Sequence, residues 1–281
     1  MALIEGGFFV LKEDFHVAVP TAFFEDESLN IQGTVQHIKN LYRQGVRSVL
    51  VCGSTGEQHS LTLNEKLEIL QALEAEDELM TNMEIIFGLS SIRQKEAEEL
   101  AKQIRSTNIA GVLLGFPPYV LPTQAEALVY AEKLIELTEK PTILYNNPLR
   151  TGFHLSIESM IQLSRLDFVI GLKEAGEKER VITLRREIPD DPFFFYAGGE
   201  MDLAAKIELG FTRLSSISGN VYPKEIKSWF HKLLMDQALT GSEEEEAARM
   251  IKQIFTGSPL VNLKMMIKGL GVCRSPLGNN Q

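Results

Sequence analysis

A few polar side chains in this 281-residue sequence are of the types that together perform covalent chemistry. Lys173 ends the apolar run DFVIGLKEAG (167–176). Tyr145 opens YNNPLRTG (145–152), which also carries Arg150. Ser54 and Thr55 stand in GSTGE (53–57), Tyr119 follows Pro117 and Pro118, and Ser215 lies in SSISGN (215–220). Burying an ammonium without a partner is costly. A lysine in such a run therefore pairs with a carboxylate, reaches back to water, or is kept neutral so that it can react. A neutral amine attacks a carbonyl, and burial supplies that neutrality by lowering the lysine pKa. The resulting carbinolamine must lose water, which needs a proton donor. A tyrosine linked to solvent through hydroxyls can be that donor. A Gly-rich turn offers backbone N–H groups to a carboxylate. The set suits imine formation. Each member also has a plainer reading: GSTGE as a tight turn with a capping hydroxyl, Tyr119 as a packed loop residue, Tyr145 as a core aromatic, Arg150 as a surface ion pair.

These residues need elements to position them. Short β-branched or aromatic runs alternate with segments of helical period. The runs are HVAVPTAF, SVLVCG, MEIIFGLS, AGVLLGFPP, PTILYNNP, FVIGLKEA, FFFYAGGE and TRLSSIS. Helices are expected over 30–44, 64–76, 94–105, 124–137, 157–163, within EKERVITLRREI, MDLAAKIELG and PKEIKSWFHKLLMD, and over 244–255 and 260–268. Continuous apolar strands of this kind belong to a parallel sheet covered by helices. Eight strand–helix units in about 250 residues match a closed (β/α)8 TIM barrel with additional C-terminal helices. An open dinucleotide-binding sheet is disfavoured, because no glycine follows the first strand before Gly33. Residues 1–225 read as the barrel with a short N-terminal extension. Residues 226–281 read as the last barrel helix and a C-terminal helical segment of the same domain.

In such barrels the chemistry sits at the C-terminal ends of the strands, where all the polar residues above fall. Alternation places Val169, Gly171 and Lys173 on one face of strand 6, with Ile170 and Leu172 on the other. Gly171, below the lysine, is expected to leave room for a small ligand. Ile143 and Tyr145 share a face of the neighbouring strand, so Tyr145 is expected to point inward beside Lys173.

A formal net charge of -10 argues against nucleic acid or an anionic membrane as partner. Cys52 and Cys273 form no disulfide framework, and Cys52 reads as a buried space-filling thiol. The five histidines lack ligand spacing, so no metal is expected. The N-terminus carries an early glutamate and no basic leader, which points to the cytoplasm.

GSTGE, YNNPLRTG, GLKEAG and SSISGN, in this order and at these intervals, resemble the dihydrodipicolinate synthase/N-acetylneuraminate lyase group of pyruvate-dependent class I aldolases. The resemblance runs from about residue 16 to 270. It implies a (β/α)8 barrel, no cofactor, and a homotetramer built as a dimer of dimers. It implies that Lys173 forms the Schiff base with pyruvate and that Tyr145 donates and accepts protons. Ser54 and Tyr119 complete the relay, the tyrosine entering the site of a neighbouring subunit. Thr55 holds the pyruvate carboxylate, Ser215 contacts pyruvate through its backbone, and Arg150 binds the carboxylate of L-aspartate-4-semialdehyde. The synthases usually have threonine where this chain has Ser54, whereas sialate lyases often have serine. Lys66 and Pro118 stand where some synthases bind the inhibitor lysine, AGGE replaces a glycine-aspartate pair, Arg213 replaces a glycine, and the last helix is short. The resemblance thus implies a synthase. A sugar-acid aldolase and a non-catalytic ligand-binding barrel are the rival readings.

Overall fold

The computed structural model describes residues 3–5, 8–188 and 193–274. An antiparallel hairpin of Leu3–Glu5 and Phe8–Val10 precedes the barrel, within the stretch read above only as an extension. The barrel proper then alternates strand and helix. β1 (Phe15–Ala18) leads to α1 (Ile31–Arg43), and β2 (Ser48–Val51) to α2 (Leu63–Glu74) and the short α3 (Asp77–Asn82). β3 (Glu84–Leu89) leads to α4 (Gln94–Arg105), and β4 (Gly111–Gly115) to α5 (Gln124–Thr138). β5 (Thr142–Asn146) leads through the single turn α6 (Pro148–Thr151) to α7 (Ile157–Leu163). β6 (Val169–Glu174) and α8 (Arg180–Glu187), β7 (Phe194–Gly198) and α9 (Leu203–Leu209), then β8 (Arg213–Ser216) and α10 (Pro223–Leu234) complete the ring. α11 (Gly241–Phe255) and α12 (Pro259–Met266) follow. All eight strands pair in parallel with their neighbours, and β8 closes on β1. This is the TIM barrel that the strand–helix alternation predicts.

Helix starts are fixed locally. Thr62, Thr123 and Thr240 each form a reciprocal capping box with the glutamate three residues on. Each box satisfies two otherwise orphaned groups and places negative charge at the positive end of the helix. The Glu243–Glu246 run is thus a helix start, as its charge suggests. The helix expected over 64–76 is α2, ending at Glu74, and the short α3 at Asp77–Asn82 follows it as an element the pattern did not predict.

The apolar residues separate into two layers. The larger lies between the sheet and the helices and includes Val169 and Leu172. The smaller fills the barrel and includes Leu50, Leu113, Ile143, Ile170 and Tyr196. Ile170 therefore faces inward, contrary to strict alternation. Thr142 pairs with Val169 but Ile143 pairs with Gly171, so β6 carries one extra residue, a bulge that resets the faces before the lysine is reached.

Candidate active site

Beyond the bulge, β5 and β6 run in register and pair Tyr145 with Lys173. Both point into the barrel, with Lys173 Nζ 5.0 Å from the centre of the Tyr145 ring. Lys173 is 8% exposed, and burial brings its pKa down to about 8, against the opposing pull of the Glu200 charge. Relative to an ordinary lysine, a shift of that size raises the neutral fraction near pH 7 by about 300-fold. The Glu200 carboxylate is itself committed elsewhere. It accepts from Ser216 Oγ at 2.5 Å and from the Ile217 and Ser218 N–H groups at 3.0 Å, so it braces the turn after β8. Its burial raises its own pKa.

The expected space beneath the lysine is filled. A Cβ on Gly171 would meet the Phe194 carbonyl oxygen at 2.4 Å and the Tyr196 ring at 3.0 Å. The glycine admits the neighbouring strand and a tyrosine ring, not a ligand. The cavity lies above, at the strand ends. It has a volume of about 360 Å³ and brings Lys173, Tyr145, Ser54, Thr55 and Arg150 to one wall system. Arg150 sits on the one-turn helix α6, on the rim where its distance from Tyr145 in sequence places it.

The Tyr145 hydroxyl lies 3.3 Å from Ser54 Oγ and receives a hydrogen bond from Asn147 Nδ2 at 2.6 Å. A phenol so placed can pass a proton toward the serine while an amide donor steadies its oxygen. Asn147 carries no signal in the sequence beyond its place in YNNPLRTG. Ser54 and Thr55 sit on the turn after β2, which the chain enters through Cys52 at φ 53°. Cys52 is fully buried with its thiol pushed up to about 12, an inert filler as expected. Ser215 is fully buried on β8, and its Oγ accepts a hydrogen bond from Lys173 Nζ at 2.8 Å.

Tyr119 is not brought to this cavity within the chain. It is 89% exposed and holds φ 68°, a left-handed conformation that costs a non-glycine residue about 1 kcal/mol or more. Lys66 is buried and donates to the Ser90 carbonyl at 2.8 Å, away from Lys173's wall. Among the described residues no group of three or more His, Cys, Asp or Glu could hold a metal ion, and no helix is long and apolar enough to cross a membrane.

Two contributions escaped the sequence reading. Phe255, Ser258, Pro259 and Leu260, at the α11–α12 corner, wall the cavity opposite the strand ends. Glu57, the last residue of GSTGE, is fully buried and pairs with Lys264 of α12 at 2.8 Å. The same carboxylate accepts from the Arg274 N–H at 2.9 Å. The motif's glutamate thus ties the turn bearing Ser54 and Thr55 to the C-terminal segment.

The profile of the dihydrodipicolinate synthetase family matches residues 13–280. A 4-hydroxy-tetrahydrodipicolinate synthase from Methanococcoides burtonii is 28% identical over 267 residues, covering 92% of this chain and 90% of the relative. In solved structures the likeness lies in the fold. Dihydrodipicolinate synthase from Aquifex aeolicus gives a TM-score of 0.85 at 22% identity, covering 96% and 93% of the two chains. A 2-keto-3-deoxygluconate aldolase variant from Sulfolobus solfataricus gives 0.79 at 20% identity, covering 96% and 91%.

Proposed function

The chain belongs to the dihydrodipicolinate synthetase family of class I pyruvate-dependent lyases, and from that premise we propose that it condenses pyruvate with L-aspartate-4-semialdehyde to 4-hydroxy-tetrahydrodipicolinate. The observation that carries this reading is a buried lysine of pKa about 8 beside an inward-facing tyrosine at the mouth of the barrel. The neutral Lys173 amine attacks C2 of pyruvate, and the carbonyl oxygen takes up a proton to give the carbinolamine. A second proton, delivered by Tyr145, lets that oxygen leave as water while the nitrogen lone pair forms the iminium. Loss of a C3 proton returns an electron pair to nitrogen and gives the enamine, whose C3 attacks the aldehyde.

In this reading Thr55 and the turn around it hold the pyruvate carboxylate, Ser215 contacts pyruvate through its backbone, and Ser54 hands protons to and from Tyr145. Arg150 is then free for a second carboxylate, which a guanidinium grips with two parallel hydrogen bonds. Tyr119 completes the relay from a second copy of the chain. Its exposure and strained backbone, with Leu121 two residues on also exposed, support a subunit contact at this rim. The enzyme works in the cytoplasm as a homo-oligomer, without metal or cofactor.

The test is borohydride reduction in the presence of pyruvate, followed by mass analysis of the Lys173 peptide and a condensation assay with aspartate semialdehyde beside sugar aldehydes. Adduct at Lys173 with preferred turnover of the semialdehyde supports the proposal; absence of adduct removes the imine mechanism. A sugar-acid aldolase is the second reading, favoured by Ser54. Arg150 on the cavity rim weighs against it, because its guanidinium suits a second carboxylate that a sugar aldehyde lacks. Preferred turnover of a sugar aldehyde would establish it.

A further inference from the structure

Lys173 Nζ has a hydrogen-bond partner whose side chain the proposed reaction leaves unused. The Ser215 hydroxyl, 2.8 Å away and fully buried, reaches it from β8, two strands around the barrel. The strand between them offers Gly198, which pairs with Ser215. A Cβ there would stand 3.5 Å from Lys173 Cε and 3.1 Å from the Ala175 methyl, so the bare Cα keeps the lysine's path to β8 uncrowded. Two other neighbours of the amine are engaged elsewhere. Tyr145 presents its ring to Nζ while its hydroxyl is engaged with Asn147 and Ser54. The Glu200 oxygens are held by Ser216, Ile217 and Ser218.

We propose that the Ser215 hydroxyl is a catalytic group that accepts a hydrogen bond from the Lys173 nitrogen at every stage, first from the resting ammonium and then from the iminium N–H. The inference rests on the imine reading above and adds a residue to it. When the amine condenses, one of its two N–H protons is lost and carbonyl oxygen leaves as water. A single N–H remains on the cationic nitrogen. With Ser215 already in place, that bond points to β8 and the substrate carbon lies on the cavity side. A carboxylate in the same place would hold the ammonium and oppose its deprotonation. A neutral hydroxyl orients the nitrogen and stabilises its charge only modestly.

The titratable groups around Lys173 are Tyr145 on β5, His16 on β1, Glu200 beyond β7 and Lys206 on α9. His16 is kept neutral by burial and by the Lys173 and Arg213 charges, and burial also lowers the Lys206 pKa. Glu200 acts in the opposite direction, raising the pKa of Lys173. Thr and Val at position 215 leave all of these groups in place, so a difference in the lysine's titration between those two reports the hydroxyl itself.

The experiment uses the intact chain and pyruvate alone. The rate of borohydride-trappable imine formation is measured against pH for the parent, Ser215→Thr, Ser215→Val and Ser215→Ala. Thr and Val have the same shape and differ by the hydroxyl, and Val excludes a substituting water. Removing the acceptor destabilises the ammonium, so the acid limb moves to lower pH, by roughly one unit in Val and Ala. Thr keeps the limb of the parent. Coincident limbs in Thr and Val overturn the proposal, even if Ala fails to fold. A parent that traps no pyruvate at Lys173 overturns the imine reading and this inference with it. A parent that traps it with an unshifted Val overturns this inference alone.

Discussion

Two buried lysines in this barrel have opposite surroundings. Lys264 on α12 meets the Glu57 carboxylate at 2.8 Å with both side chains fully buried, donates to the Val272 carbonyl and lies over the Phe23 ring. Arg274 extends the cluster, stacking on Phe23 and donating to Glu65. Lys173 has a hydroxyl and a tyrosine face in place of a carboxylate. Burial lowers both pKa values, but for Lys264 the Glu57 partner pulls back through hydrogen bond and charge. The difference teaches that burial alone does not make a lysine reactive. The nature of its partner decides whether the amine is locked as a cation or left able to lose its proton.

The comparison breaks most completely at Lys173 itself. Lys173→Ala should abolish the pyruvate adduct and all turnover while the chain stays folded, as checked by intact mass and thermal melting. Retained adduct would place the imine on another lysine. Tyr145→Phe keeps the ring beside the amine and deletes its acid. Turnover should fall by about 10²–10⁴-fold with folding retained. Activity within a few-fold of the parent would return Tyr145 to the core.

At the other lysine the expected loss is in stability. Lys264→Met leaves the Glu57 carboxylate buried without its cation, and denaturant unfolding should show a cost of about 3–5 kcal/mol. Adding Glu57→Gln should recover part of that cost. If both variants unfold with the parent, the ion pair does not hold the C-terminal segment. Arg150→Ala addresses the second substrate. It should still form the Lys173 adduct but lose about ten- to a hundred-fold in apparent affinity for aspartate semialdehyde. Unchanged condensation would favour the sugar-acid aldolase.

The smallest effect is graded by pH. With a Lys173 pKa near 8, the rate of imine formation should fall about tenfold per unit as the solution is acidified below that value. The same shift affects stability. Between about pH 8 and the ordinary lysine value the unfolded chain binds a proton that the folded chain has released, so stability rises with pH there. Lys173→Met should remove that part of the slope, and identical pH–stability curves for the two proteins would contradict it.

The amino-acid sequence by itself determined the eight strand–helix units, their order, and the arrival of Ser54, Tyr145, Arg150 and Lys173 at one rim. These follow from apolar runs, helical period and strand direction, all of which are local or repeat along the chain. Local pattern failed where geometry is set by closure. The β6 bulge turns Ile170 inward, and Tyr196 from β7 takes the space beside Gly171. Both depend on how neighbouring strands stagger, which period alone does not fix. The Ser215 contact crosses an intervening strand, and Glu57 meets Arg274 from 217 residues away. The cavity wall at Phe255–Leu260 likewise comes from helices added after the barrel. Which partner each buried lysine receives was therefore decided by the tertiary structure, because only barrel closure and the docking of the C-terminal segment bring those side chains within hydrogen-bonding distance.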